Sequence, residues 1–251
     1  MPESVTHENG AYRYLPGTAT FSNGIRALQG YRIIEWELAE LEPLEIGFER
    51  IDRELDARDL TWDALAGVDI RSPEPLDTER FSAFNSAYTE LIRKYLPHDA
   101  DAPLRITRTN AAPISPITNQ PALRAVQVVE PAAGAAGGDF VLSGLAEIRG
   151  KLTPEATIAY RDTSPVALRS KVDFVATELA TRLAALGATP DEARIVDVYC
   201  AHPLQWVETR LADTFGSIRH YGLHRWLARP PVIDLEFEMG CKSISTRQII
   251  L

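Results

Sequence analysis

The sequence predicts an α+β fold made of two two-layer units, and three observations in its 251 residues carry that prediction. Strand-like runs and amphipathic helices follow the order β-β-α-β-α-β in each half, which lays two helices on one face of a mixed sheet. The run Pro131-Ala-Ala-Gly-Ala-Ala-Gly-Gly138 stands near the midpoint with no large side chain to bury, as a linker would. Apolar positions of the two halves match at steady separations: Phe48 with Phe174 at 126, Val68 with Val196 at 128, Phe84 with Leu211 and Tyr88 with Phe215 at 127. Such steadiness points to an internal duplication, with units at 1–130 and 139–251.

In the first half, residues 19–24 and 31–38 read as strands around a glycine-containing turn. Leu44, Phe48, Ile51 and Leu55 recur at intervals of four, three and four, so they share one helix face, while Glu45, Glu49, Arg50, Arg53 and Glu54 take the other. A short strand at 67–71 and a Ser-Pro-Glu-Pro turn lead to a helix capped by Asp77. Its apolar face is Phe81, Phe84, Tyr88, Leu91 and Tyr95, and Pro97 prevents continuation. An irregular stretch holding Pro103, Pro113, Pro116 and Pro121 precedes the strand 123–129.

The second half opens with a strand at 140–144. Ser164 caps a helix with proline at its first position, and Leu168, Val172, Val175, Leu179, Leu183 and Leu186 line one face up to Gly187, which accepts the left-handed conformation at a helix end. A strand at 194–199, a helix at 206–215, a strand at 232–239 and a further strand at 243–251 complete the chain.

Composition narrows the function. With 45% hydrophobic and 24% charged residues the chain is an ordinary globular one, and a net charge of -9 with pI ≈ 5.1 leaves no basic surface to release counterions from nucleic acid. No apolar run is long enough for a bilayer, and the first ten residues lack the basic and apolar regions of a signal peptide, so neither membrane nor export is expected and the cytoplasm is. Cys200 and Cys241 form no disulfide framework and no Cys-x-x-Cys pair; reduced, buried thiols are expected. The glycines of 134–138 are not followed by Lys-Ser/Thr and precede a strand, so no phosphate loop is present.

Three local strings, together with the element order, resemble the Rid/YjgF family of small enamine/imine deaminases. They are Phe140-Val-Leu-Ser-Gly144, Arg80-Phe-Ser-Ala-Phe-Asn-Ser-Ala-Tyr88 and Leu235-Glu-Phe-Glu-Met239. The second carries most weight, because the family's helix reads Phe-x-x-x-Asn-x-x-Tyr, as at Phe81, Asn85 and Tyr88. The resemblance implies two tandem Rid-like (chorismate-mutase-like) domains, a homo-oligomer of threefold or pseudo-threefold character, and a site at the seam between units that uses no metal and no organic cofactor. It implies Glu236 as the catalytic acid, Ser143 and Asn85 as substrate-binding groups, and an arginine that clamps a carboxylate of a small anionic substrate. The family's count to that arginine lands on Tyr221, and the nearest guanidinium is Arg225 in His220-Tyr-Gly-Leu-His-Arg-Trp226. In the first half the position matching Glu236 is Gln127, which cannot exchange a proton, so that half contributes a wall, with Arg105 and Arg108 as its positive groups.

The residues also admit plainer readings. On the last strand Leu235, Phe237 and Met239 share one face and Glu236 and Glu238 the other, so both carboxylates could simply face water; Glu238 is left with that reading. A helical 220–226 would put His220 and His224 at zinc-ligand spacing, but no third ligand follows. Cys200-Ala-His202 resembles a thiol-imidazole pair, yet residues two apart on a strand share a face without reacting. Ser143 lies in no Gly-x-Ser-x-Gly turn. The expected activity is hydrolytic deamination of a carboxylate-bearing enamine or imine, a 2-aminomuconate-type or 2-imino acid. The alternatives are a chorismatase-like hydrolase or lyase and a non-catalytic metabolite-binding protein.

Overall fold

Two β-sheets stack face to face and carry helices on their outer sides in the computed structural model, which describes residues 3–96 and 103–250. In chain order the elements are β1 (Val5–Thr6), β2 (Tyr12–Leu15), β3 (Gly24–Ala27), β4 (Tyr31–Pro43), α1 (Leu44–Asp56), β5 (Leu65–Arg71), α2 (Thr78–Arg93), β6 (Thr107–Pro113) and β7 (Ala122–Pro131). Then come β8 (Phe140–Leu142), β9 (Leu145–Ala146), α3 (Pro165–Ala185), β10 (Ile195–Cys200), α4 (Val207–Leu211), α5 (Ile218–Tyr221), β11 (His224–Trp226), β12 (Ala228–Arg229), β13 (Phe237–Ser243) and β14 (Thr246–Ile250). No helix among the described residues is long and apolar enough to cross a membrane.

One sheet has the order β1-β2-β3-β8-β13-β10-β11, with β9 also on β13; the other runs β12-β6-β5-β7-β4-β14. Each sheet contains a parallel pair, β10/β11 or β5/β6, next to antiparallel strands. Each also takes strands from the far half of the chain. β1, β2 and β3 extend the sheet built on β8, β10 and β13, while β12 and β14 close the edges of the sheet built on β4, β5 and β7. This exchange corrects the expectation of two tandem Rid-like domains: the chain forms one large mixed-sheet α+β body in which each sheet is completed by strands from the other half. Periodicity within a half reveals its strands but not the far-half strand that completes each sheet edge.

The apolar stripes seat the helices where their spacing requires. Phe48, Ile51 and Leu55 of α1 and Tyr88, Leu91 and Ile92 of α2 pack on Ile34, Trp36, Val68, Ile70, Val126 and Val128. Leu168, Val172, Val175, Leu179 and Leu183 of α3 pack on Phe140, Val196, Val198, Phe237, Met239 and Cys241. Asp77 caps α2 by accepting from the Arg80 amide at 2.8 Å, and Ser164 caps α3 from the Ala167 amide at 3.3 Å. The helix stop assigned to Pro97 lies outside the described residues.

Several boundaries move. Residues 19–23 are turn and the strand starts at Gly24; the stretch read as irregular contains β6; the helix expected at 206–215 keeps only Val207–Leu211. The last long strand begins at Phe237, and the terminal one pairs in parallel with β4 of the same chain, Thr246 beside Ile34 through Ile250 beside Leu38. His220 ends α5 while His224 opens β11, so they share no helical face.

Alternation along the strands produces the space between the sheets. On β4, Ile34, Trp36 and Leu38 face the helices while Ile33, Glu35 and Glu37 face inward; on β13, Phe237, Met239 and Cys241 face α3 while Glu238, Gly240 and Lys242 face inward. One end of this interior is apolar, with Ile25, Ile33, Val129, Val141 and Ile244 in contact. Next to it Lys242 pairs across the gap with Glu35 and, at 3.4 Å, with Asp69, and Arg124 pairs with Asp69 at 2.7 Å and Glu37 at 3.0 Å. Beyond these charges lies the polar, aromatic end described next.

Candidate active site

β13 brings Glu238 into the interior, with Tyr199 of β10 as its register neighbour on one side and Ala146 of β9 on the other. The side chain fits because residue 144 is glycine: a Cβ there would overlap Oε1 of Glu238. Glu238 is only 4% exposed, which corrects the solvent-facing reading. Alternation showed that its face differs from the apolar one, but not that a second sheet covers it. Burial foremost, then the nearby Glu147 carboxylate, pushes its carboxyl up to about 8 against the opposing pull of Arg108 and Arg71, with Asp69 adding a smaller upward push. At neutral pH this carboxyl is largely protonated and can both give and retake a proton.

Arg71, the last residue of β5, is 3% exposed and donates from Nη1 to its neighbour's carbonyl, Ile70 O, at 2.9 Å. Its Nη2 is buried with no hydrogen-bond partner among the described residues. The guanidinium carbon sits 5.6 Å from the ring centre of Tyr199 and 5.3 Å from that of Trp226, and these two rings stack at 6.2 Å. Asp197 fixes Trp226 by accepting from Nε1 at 2.8 Å and lies 3.3 Å from Nδ1 of His224. The arrangement is a buried charged donor with an unpaired nitrogen against aromatic rings, near a carboxyl raised toward neutrality. A guanidinium pairs with a carboxylate through hydrogen bonds, and a neutral carboxyl can donate a proton, so both groups are chemically suited to an acid substrate.

Glu236 lies just before β13, is 8% exposed, and bonds His202 Nε2 at 2.8 Å through its carboxylate. Its backbone amide and that of Phe237 donate to the two oxygens of Glu147, at 2.6 and 3.0 Å. The Cys200 thiol is buried, and burial foremost pushes it up to about 11, so it stays protonated rather than acting as a nucleophile.

The other residues singled out in the sequence are dispersed around this centre. Arg108 leaves β6 toward α2, where Nη2 donates to Asn85 Oδ1 at 2.8 Å and the rings of Phe21, Phe81, Phe84 and Tyr88 surround the guanidinium at 4.9 to 5.9 Å. It is 5% exposed and acts on Glu238 through its charge. Asn85 thus orients an arginine. The Ser143 hydroxyl donates to Ser22 O at 2.6 Å and accepts from the Arg108 amide at 2.9 Å, so both functions serve the junction of the sheets. Gln127 donates to Glu35 at 2.6 Å. Arg105 lies near Glu8 and Asp63 at 3.5 and 4.0 Å. Arg225 is exposed on β11, and Tyr221 is exposed at the end of α5 with its ring against His220. Arg71, Tyr199, Glu147 and the His202 contact with Glu236 were not found from the sequence. The one available signal was the pairing of small residues, Gly144 and Gly240, with polar strand positions. Among the described residues no three His, Cys, Asp or Glu side chains converge on a metal position.

A family profile described as 2-aminomuconate deaminase CnbZ matches residues 4–248. The 2-amino-5-chloromuconate deaminase of Comamonas testosteroni is 30% identical over 260 residues, covering 100% of both chains. Among solved structures, a chorismatase aligns over 97% of this chain and 79% of its own at 12% identity and TM-score 0.47. A cyanuric acid hydrolase aligns over 87% and 69% at 12% identity and TM-score 0.45. The matched family is not the Rid/YjgF family, so the local strings around Phe140, Asn85 and Glu236 do not signify membership there.

Proposed function

The chain belongs to the 2-aminomuconate deaminase CnbZ family, and from that premise we propose that it hydrolyses the C–N bond of a 2-aminomuconate-type acid at the Glu238 and Arg71 site. This activity replaces the chorismate-cleaving and non-catalytic alternatives. The observation that carries the assignment of the site is a carboxyl raised to about 8 beside a buried guanidinium with an unpaired Nη2.

Arg71 binds one substrate carboxylate, and Tyr199 and Trp226 pack on the conjugated plane. Protonated Glu238 delivers its proton to the carbon end of the enamine, converting C=C–NH2 to HC–C=NH2+. The carboxylate so formed takes a proton from water as the water oxygen bonds the iminium carbon, which gives a carbinolamine. Loss of the hydroxyl proton and protonation of nitrogen break the C–N bond, releasing ammonia and a 2-oxo acid. We assign this last proton transfer to Glu236 with His202. Arg108, held by Asn85, adds positive potential behind the site. Arg225 and Tyr221 are proposed as groups at the exposed rim, and Ser143 as support for the wall.

Ammonia release from 2-aminomuconate, measured against the uncatalysed rate with wild type, E238Q and E236Q, tests the proposal. Acceleration by wild type that is lost in E238Q is the expected result. No acceleration by wild type overturns the activity; full activity of E238Q overturns the site. We also propose a cytoplasmic location, in keeping with the free thiols of Cys200 and Cys241, and a homo-oligomer, in keeping with the exposed Ile117, Leu227 and Ile233. Cell fractionation and light scattering check these two.

A further inference from the structure

The ion pair of Glu147 and Lys171, at 3.1 Å with both side chains 0% exposed, touches no reacting atom in the steps above. A buried ion pair generally contributes no more stability than apolar residues of the same volume, so its placement calls for another reason. Glu147 follows β9 and accepts the backbone amides of Glu236 and Phe237 on its two oxygens, at 2.6 and 3.0 Å. Lys171, on α3, anchors that carboxylate and also donates to Ile158 O at 2.9 Å. The amides lie where the chain leaves Asp234, which has a φ of 71°, and enters β13. Here a side-chain carboxylate takes the place of a strand neighbour. From this point Glu236 turns to His202 and Glu238 turns inward.

We propose that Glu147, neutralised by Lys171, is a positioning residue of the deamination site, holding the start of β13 so that the carboxyl groups of Glu236 and Glu238 keep their separate surroundings. This rests on the function proposed above. Glu147 also acts on Glu238 by charge. The groups facing Glu238 are Asp69 and Arg71 from β5, Arg108 from β6, Tyr199 from β10 and Glu147 itself, and after burial Glu147 is the strongest influence. Removing its negative charge therefore favours ionised Glu238.

The test is the pH profile of kcat/KM for 2-aminomuconate, with carboxyl-carbon NMR titration of Glu238 in the same full-length proteins. In E147Q one oxygen keeps one amide bond and the charge is gone. The alkaline limb, at about 8 in wild type, is expected to move toward acid by about one unit, and the NMR titration with it. E147Q/K171M removes both buried charges and serves if E147Q alone does not fold; its limb and titration are expected to move in the same direction by less, since the positive charge of Lys171 goes with the negative one. A limb and titration unmoved from wild type in whichever variant folds overturns the inference, as does failure of both to fold. Wild type that titrates near 8 but releases no ammonia overturns the proposed activity and leaves the NMR comparison to decide the role of Glu147.

Discussion

Glu238 needs two properties that oppose each other, a proton at neutral pH and a place beside two guanidinium groups that favour its loss. Burial and the charge of Glu147 outweigh Arg71 and Arg108, and this balance sets the protonation state on which the proposed chemistry depends. E238Q is expected to lower kcat by roughly 10²- to 10⁴-fold, the range for a lost general acid, with little change in circular dichroism. Wild-type kcat/KM is expected to fall as pH rises through about 8, because the acid form is the one that donates. Stability follows the same sign. A carboxyl raised on folding contributes fully below its unfolded value and loses that contribution as pH rises through the folded one. E238Q should therefore gain in Tm relative to wild type at pH 8 and not at pH 5. R71M removes a charge-assisted bond to substrate and is expected to lower kcat/KM by roughly 10- to 100-fold, mainly through KM. Had Arg71 no contact with substrate, KM would not change.

Among the elements, the junction of β8 and β9 controls where Glu238 sits. A methyl at Gly144 would meet the free end of that side chain and, at 3.3 Å, the methyl of Thr109, so the carboxyl can move aside at small cost to the fold. G144A is expected to reduce kcat far more than Tm; equal losses in both would show that the close approach is only packing. These elements differ in how far the sequence revealed them. α1, α2 and α3 were legible because a caps-and-stripe pattern is local: Asp77, Ser164 and the spacing of Leu168 to Leu183 fall within single helices. β6 was not, because its residues Thr107 to Pro113 include polar side chains buried by α2 and by the opposite sheet, and flanking prolines mark a loop as readily as a strand end. The short strands β11 and β12 are defined by partners far along the chain, Val198 and Ala112, and carry no periodicity of their own. The same limit applied to the site. Its strand pattern leaves Glu236 as a solvent-facing carboxylate and only the resemblance to the Rid/YjgF family singles it out, whereas Arg71 and Tyr199 become neighbours only when the sheets stack.

At the scale of the molecule, the sheets are joined by charge as well as by apolar contact. Lys242 of one sheet meets Glu35 and Asp69 of the other, all three buried, and Arg124 and Arg247 complete the neutralisation. Burial pushes the Asp69 carboxyl up, but Lys242, Arg124 and Arg71 together outweigh it and hold it well below the usual carboxylate range. A carboxyl depressed on folding contributes stability above its unfolded value near ~4 and loses it as pH falls through the folded one, so this network resists acid until Asp69 takes a proton. K242M is expected to cost about 3–5 kcal/mol at neutral pH, since it leaves two carboxylates buried with too little positive charge. In the variant the Asp69 carboxyl loses its strongest lowering partner and rises, so the penalty should shrink as pH falls from about 7 toward 5, where wild type keeps Asp69 ionised. Urea midpoints of both proteins across that interval read the difference directly. A gap that stays constant with pH would mean that Lys242 acts by filling space, as part of the apolar contact among Ile25, Ile33, Val129, Val141 and Ile244.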